Sequence, residues 1–94
     1  MFDLYFRPRA LKVLKDLERK IQLKINTALD DLKLGKFNLH NIERVEGTKL
    51  GYRLRVGRWR ILFALFSAEK RIEIVDIFLK KGKEDYRKRI KLLK

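Results

Sequence analysis

Cysteine is absent from these 94 residues, and histidine occurs once, as His40. The first absence excludes a disulfide framework, a thiol nucleophile and a cysteine zinc site. A single histidine leaves no multi-histidine metal site and weighs against a Ser-His-Asp triad. Proline occurs once, at Pro8, and the 5 glycines form no phosphate-cradling loop. No apolar run approaches the roughly 18 residues of a membrane span. The opening MFDLYFRPRA mixes acid and base among its apolar residues, unlike a secretory leader. The expectation is one soluble, cytoplasmic domain with no membrane partner.

Acidic residues are also scarce. Lys and Arg number 25 against 12 Asp and Glu, a formal charge of +13. Residues 1–50 hold 11 basic and 7 acidic residues, and residues 51–94 hold 14 and 5. With 46% hydrophobic residues the chain is not a disordered basic tail. So lopsided a charge implies a polyanionic partner. It also destabilises the compact state, so a neutralising partner would stabilise the fold.

The periodicity gives an element order. Phe2 to Arg7 alternates as a strand, and Pro8 suits the first turn of a helix. Leu11, Leu14, Leu17, Ile21, Ile25, Ala28, Leu29 and Leu32 recur at helical spacing. One straight helix of that length would outgrow the domain. The spacing therefore predicts two antiparallel helices with a break near Glu18–Lys20, and Gly35 as the stop. Residues 36–49 read as a loop with room for one helical turn. Tyr52, Leu54 and Val56 then alternate with Arg53 and Arg55, a strand with one basic face. Gly57-Arg58 turns the chain into an apolar strand from Trp59 to Phe66. Ser67 to Lys70 turns it again into a central strand from Ile72 to Leu79. Lys83 to Lys94 reads as a short basic helix after Gly82. The fold class is α+β, β-α-α-β-β-β-α: a small antiparallel sheet packed on an N-terminal helical hairpin, all in one domain over residues 1–94.

Three groups of residues carry chemical possibilities. Arg53, Arg55, Arg58 and Arg60 fall within eight residues, and residues 51–68 hold no acid. Arginine binds phosphate bidentately and stacks on bases, so this strand pair suits nucleic acid. Tyr52, Trp59, Phe63 and Phe66 are interleaved with it. Phe63 and Phe66 read more simply as core. Trp59, at the rim, reads equally as core or as a stacking platform. The second group is Lys80, Lys81, Lys83, Tyr86, Arg87 and Lys88, where the central strand gives way to the last helix. Lysines and backbone N–H groups converge there in a manner suited to phosphate, although a solvated helix would look the same. The third is Glu43 with Glu46, facing the arginines either as salt-bridge partners or as a general base.

The run GYRLRVGRWRILF (residues 51–63), an apolar strand after it and a lysine-rich turn with Tyr86 resemble the RelE/ParE toxin superfamily of bacterial and archaeal toxin–antitoxin systems. The resemblance extends over nearly the whole chain. It implies the RelE-like fold and a ribosome-dependent mRNA endonuclease. Such an enzyme cuts the message in the ribosomal A site, the 2′-hydroxyl attacking the adjacent phosphate without a metal or other cofactor. It further implies that Arg60 stabilises the transition-state phosphate and that Arg53 and Arg55 are the basic pair beside it. By the same resemblance Lys80 or Lys81 is the basic residue at the strand end, Tyr86 stacks or transfers a proton, and Glu43 is a general base. Arg58, Trp59, Lys83, Arg87 and Lys88 would bind the nucleic acid. No histidine neighbours Tyr86, so the histidine acid of some relatives has no counterpart here. The implied partners are mRNA, the ribosome and a small acidic antitoxin. The alternatives are a ParE-like DNA gyrase inhibitor and a non-enzymatic RNA- or ribosome-binding protein of the same shape.

Overall fold

The structure, a computed structural model, describes residues 1–80 and 88–93. Strand β1 (Asp3–Phe6) leads into helix α1 (Pro8–Asp16) and helix α2 (Arg19–Lys33). A single 3-10 turn, Phe37–Leu39, precedes β2 (Asn41–Arg44). Strands β3 (Gly51–Val56), β4 (Trp59–Phe66) and β5 (Arg71–Leu79) form a meander. Residues 88–90 are helical and run into a 3-10 turn, Lys91–Leu93. None of the described helices is long and apolar enough to cross a membrane.

The predicted α+β class and element order hold over the described residues, with two differences; residues 83–87 of the predicted last helix lie outside them. The five strands lie in the order β1-β5-β4-β3-β2, and β1 runs parallel to β5, so the sheet is mixed rather than antiparallel. Alternation of side chains is the same for either strand direction, so it carried no information on this point. The second difference is β2, which lies in the predicted loop. Only Ile42 of its four residues is partly buried and apolar; its pairing with β3 is a backbone matter.

The helical break falls at Leu17, which is extended, and Glu18, whose φ of −53° and ψ of 140° are not helical. No glycine or proline is needed because the Gln22 side chain satisfies the end of α1. Its Nε2 donates to the carbonyls of Leu14 at 2.8 Å and Lys15 at 3.1 Å. Helix α2 ends at Gly35, whose φ of 76° suits a residue without Cβ. The N–H groups of Gly35 and Lys36 donate back to Leu32 and Asp31, a Schellman closure.

The hairpin buries Ala10, Leu14, Ile25, Ala28, Leu29 and Leu32 against Leu54, Ile61, Phe63, Ile72, Ile74 and Ile77 on one face of the sheet. The other face carries a smaller cluster, Val45, Leu62, Ala64, Val75 and Phe78, packed against Ile90, Leu92 and Leu93. An irregularity in β5 helps to build it. Ile74 stands opposite Phe63 and Asp76 opposite Leu62, so Val75 is an extra residue. The bulge puts both Val75 and Asp76 on the sheet face of this smaller cluster, with Asp76 opposite Leu62. Gly51 is fixed by close approach: a Cβ there would lie 2.5 Å from Thr48 Oγ1 and 2.9 Å from Leu93 Cδ1. Thr48, in turn, accepts from the Gly51 N–H and donates to the Val45 carbonyl, closing the β2–β3 loop.

Candidate nucleic-acid interface

The sheet face away from the hairpin collects the arginines. Register places Glu43 of β2 opposite Arg53 of β3, Arg55 opposite Arg60 of β4, and Arg60 opposite Phe78 of β5. Residues directly opposite share a face. Four of the predicted catalytic residues, Glu43, Arg53, Arg55 and Arg60, therefore stand together on neighbouring strands. Glu43 and Arg53 form an ion pair on the half-open rim.

Arg60 is unusual among them, being only 6% exposed. Its Nη1 donates to the carbonyls of Gly57 at 2.9 Å and Trp59 at 3.0 Å, which fixes the side chain beside the β3–β4 turn. Its Nε is buried and has no hydrogen-bond partner among the described residues. An unmet buried donor costs about 1–3 kcal/mol. Burial pushes the Arg60 guanidinium below its ordinary pKa, and the neighbouring charges of Arg55 and Arg53 push the same way, while Glu43 opposes them. Like charges directly opposite one another on paired strands also destabilise the sheet. A buried cation with an open donor, crowded by other cations, is an arrangement an anion would relieve.

The other predicted residues are distributed differently. Arg58 is exposed at the tip of the β3–β4 turn. Lys80 is exposed just beyond β5, its backbone N–H donating to the Arg58 carbonyl at 3.0 Å. Trp59 is not brought to the arginine face. It lies on the hairpin side with Val56 and Leu79, lining a cavity of about 370 Å³ that also touches Ile21, Lys24 and Arg58. Lys88 is exposed on the C-terminal helical segment. Lys81, Lys83, Tyr86 and Arg87 lie outside the described residues. His40 pairs with Asp31 at 2.7 Å, tying the start of β2 to α2.

Asp76 is the residue the sequence analysis missed. It is 0% exposed, accepts from the Ile77 backbone N–H at 2.9 Å and meets Arg89 Nη1 at 2.7 Å and Arg9 Nε at 3.4 Å. Arg89 also lies over the Phe78 ring, 4.5 Å from its centroid. An acid inside the apolar run RIEIVDIFL was the available signal.

Neither family models nor curated protein sequences give a match. Solved structures do. The isolated Escherichia coli RelE toxin superposes with a TM-score of 0.74 at 15% identity, over 97% of each chain. A chain of the archaeal RelE–RelB complex from Pyrococcus horikoshii gives 0.73 at 19% identity, over 87% of this chain and 98% of that one. The RelB–RelE antitoxin–toxin complex from Methanococcus jannaschii gives 0.72 at 24% identity, over 87% and 96%. With a mixed five-stranded sheet, an N-terminal helical hairpin on one face and an arginine cluster on the other, the chain has the RelE toxin fold.

Proposed function

We propose that this chain is the toxin of a toxin–antitoxin pair and acts in the cytoplasm as a ribosome-dependent mRNA endonuclease. The observation that carries this reading is Arg60: a buried guanidinium whose Nε has no hydrogen-bond partner among the described residues, flanked on its own sheet face by Arg55 and Arg53. The RelE fold supports it.

The chemistry follows from those groups. The 2′-hydroxyl of one nucleotide attacks the phosphorus of the next linkage, and the 5′-oxygen leaves. Negative charge builds on the phosphoryl oxygens, and preorganised donors that need not reorient stabilise it. Arg60 supplies that donor, held in place by its two carbonyl contacts. Arg53 and Arg55 add charge on one side, with Lys80 or Lys81 at the strand end. Glu43 accepts the proton from the 2′-hydroxyl. Tyr86 stacks on a base or returns a proton to the leaving oxygen. Arg58, Lys83, Arg87 and Lys88 hold the flanking RNA. The nucleophile and the leaving oxygen belong to the RNA, and the acid, base and cations of this scheme are side chains of the protein.

An acidic antitoxin completes the reading. The chain carries +13, and the neighbours from Pyrococcus horikoshii and Methanococcus jannaschii are complexes with RelB. Purified protein added to ribosomes holding a defined message should cut it in the A site. Absence of cleavage together with trapped gyrase–DNA complexes would select the gyrase-inhibitor alternative. Ribosome binding without either would select a non-enzymatic binder.

A further inference from the structure

The hairpin side of the sheet holds a feature that the Arg60 chemistry does not use. Trp59 is the only tryptophan of the protein. It is half-buried and lines the cavity of about 370 Å³ between α2 and the β3–β4 turn. Ile21, Val56 and Leu79 supply apolar walls, and the exposed Lys24 and Arg58 supply two cations. Neither cation forms an ion pair among the described residues. Small-molecule pockets have volumes of roughly 300–1,000 Å³ and mostly apolar walls with a few polar groups, and this cavity fits that description. An indole among aliphatic side chains suits a flat aromatic ring. The guanidinium and the ammonium add attraction for a negative charge. A nucleobase that carries its own phosphate combines both properties.

The cavity also adjoins the Arg60 site. Trp59 and Arg60 are consecutive in β4, so their side chains leave opposite faces of the sheet, about 3.4 Å apart along the strand. Arg60 Nη1 donates to the carbonyls of Gly57 and Trp59. Gly57 and Trp59 both line the cavity as well. One turn therefore positions the buried guanidinium on one face and the indole on the other. Gly57 and Arg58, both exposed, form the edge between the two faces. This continuity with the arginine cluster favours a nucleic-acid occupant over an apolar side chain of a protein partner.

We propose that this cavity takes one unstacked nucleobase of single-stranded RNA, from a nucleotide flanking the linkage at Arg60. Trp59 is its stacking surface, and Lys24 and Arg58 hold its phosphate. This deepens the proposed function and rests on its RNA-binding part. No bond is made or broken there; the cavity fixes the path of the strand around the β3–β4 turn.

A single tryptophan makes the test direct, because all indole fluorescence comes from Trp59. The full chain is titrated with a short single-stranded RNA of mixed sequence, 2′-O-methylated so that it has no 2′-hydroxyl to attack. An abasic strand of equal length and charge and a polyglutamate of equal charge serve as comparisons. The RNA should quench Trp59, and the other two should leave its emission nearly unchanged. Trp59→Leu should weaken RNA binding by about 5–150-fold, the loss of one stacked base, and leave binding of the abasic strand as it was. Lys24→Ala and Arg58→Ala retain the indole. Each should lower the slope of log K against log salt by about 0.7, and Lys36→Ala, an exposed lysine elsewhere, by almost nothing. Thermal unfolding confirms that each variant is folded, and the quenching and the two cation variants decide the matter if Trp59→Leu is not. Trp59 emission that ignores bound RNA overturns the proposal, as does equal quenching by the abasic strand. Equal quenching by polyglutamate also overturns it, making the cavity a protein-docking surface. So do unchanged slopes for Lys24→Ala and Arg58→Ala, or no RNA binding by the wild type at about 50 mM salt. A wild type that is quenched as expected but never cuts ribosome-bound mRNA removes the nuclease reading and leaves this site standing. One that cuts while its Trp59 emission ignores RNA removes this site alone.

Discussion

Replacing Asp76 with asparagine is the sharpest test of how the second face is held together. The change keeps the size of the side chain and an oxygen for the Ile77 N–H, and removes the charge shared by Arg89 and Arg9. Removing one partner of a buried ion pair typically costs about 3–5 kcal/mol. Water recovers part of that here, because the Arg89 side chain is 22% exposed and that of Arg9 57%. The expected loss is about 2–3 kcal/mol. For a domain of this size each kcal/mol moves Tm by about 4–8 °C, so the midpoint should fall by roughly 10–20 °C. Thermal unfolding followed by circular dichroism reads it directly. A cycle with Arg89→Met should return a coupling between the two sites of about 1–2 kcal/mol. A loss below about 0.5 kcal/mol, or no coupling, would refute the idea that Asp76 anchors the C-terminal segment.

Two further substitutions separate chemistry from structure. Glu43→Gln should slow cleavage by about 10²–10⁴-fold, the scale of a lost general base, yet shift stability by less than about 1 kcal/mol because its pairing with Arg53 lies at the surface. A cleavage rate within tenfold of wild type, measured in the ribosome assay, would make Glu43 a counterion only. Gly51→Ala places a methyl group against Thr48 and Leu93 and should cost about 1–3 kcal/mol through overpacking. Denaturant titration checks it, and an unchanged midpoint would mean that the loop and the C-terminal turn give way freely.

Much of this was legible in the residues because local signals agreed with the fold. The apolar spacing from Leu11 to Leu32 marked both helices, and Gly35 marked their end. Alternation around Arg53 and Arg55 put both on one face, and Arg60 joined them once the Gly57-Arg58 turn set the register. What escaped was non-local. The direction of β1 depends on where the hairpin returns the chain, and β2 exists because β3 offers it an unpaired backbone edge. Trp59 depended on register too: opposite Val56 and Leu79, it falls to the hairpin side and away from the arginines. Asp76 faces outward only because a bulge adds Val75, and no period-two pattern anticipates an extra residue.

The most direct measurement concerns Arg60. Single-turnover cleavage of ribosome-bound mRNA should be compared for the wild type, Arg60→Ala and Arg60→Lys, with thermal unfolding of all three alongside. Loss of one preorganised donor to the transition state predicts a fall of about 10²–10³-fold for Arg60→Ala. Lysine should recover only a fraction, since it cannot reproduce the planar fork. Both variants should remain folded at the assay temperature. Cleavage at the wild-type rate by folded Arg60→Ala would contradict the account at its centre.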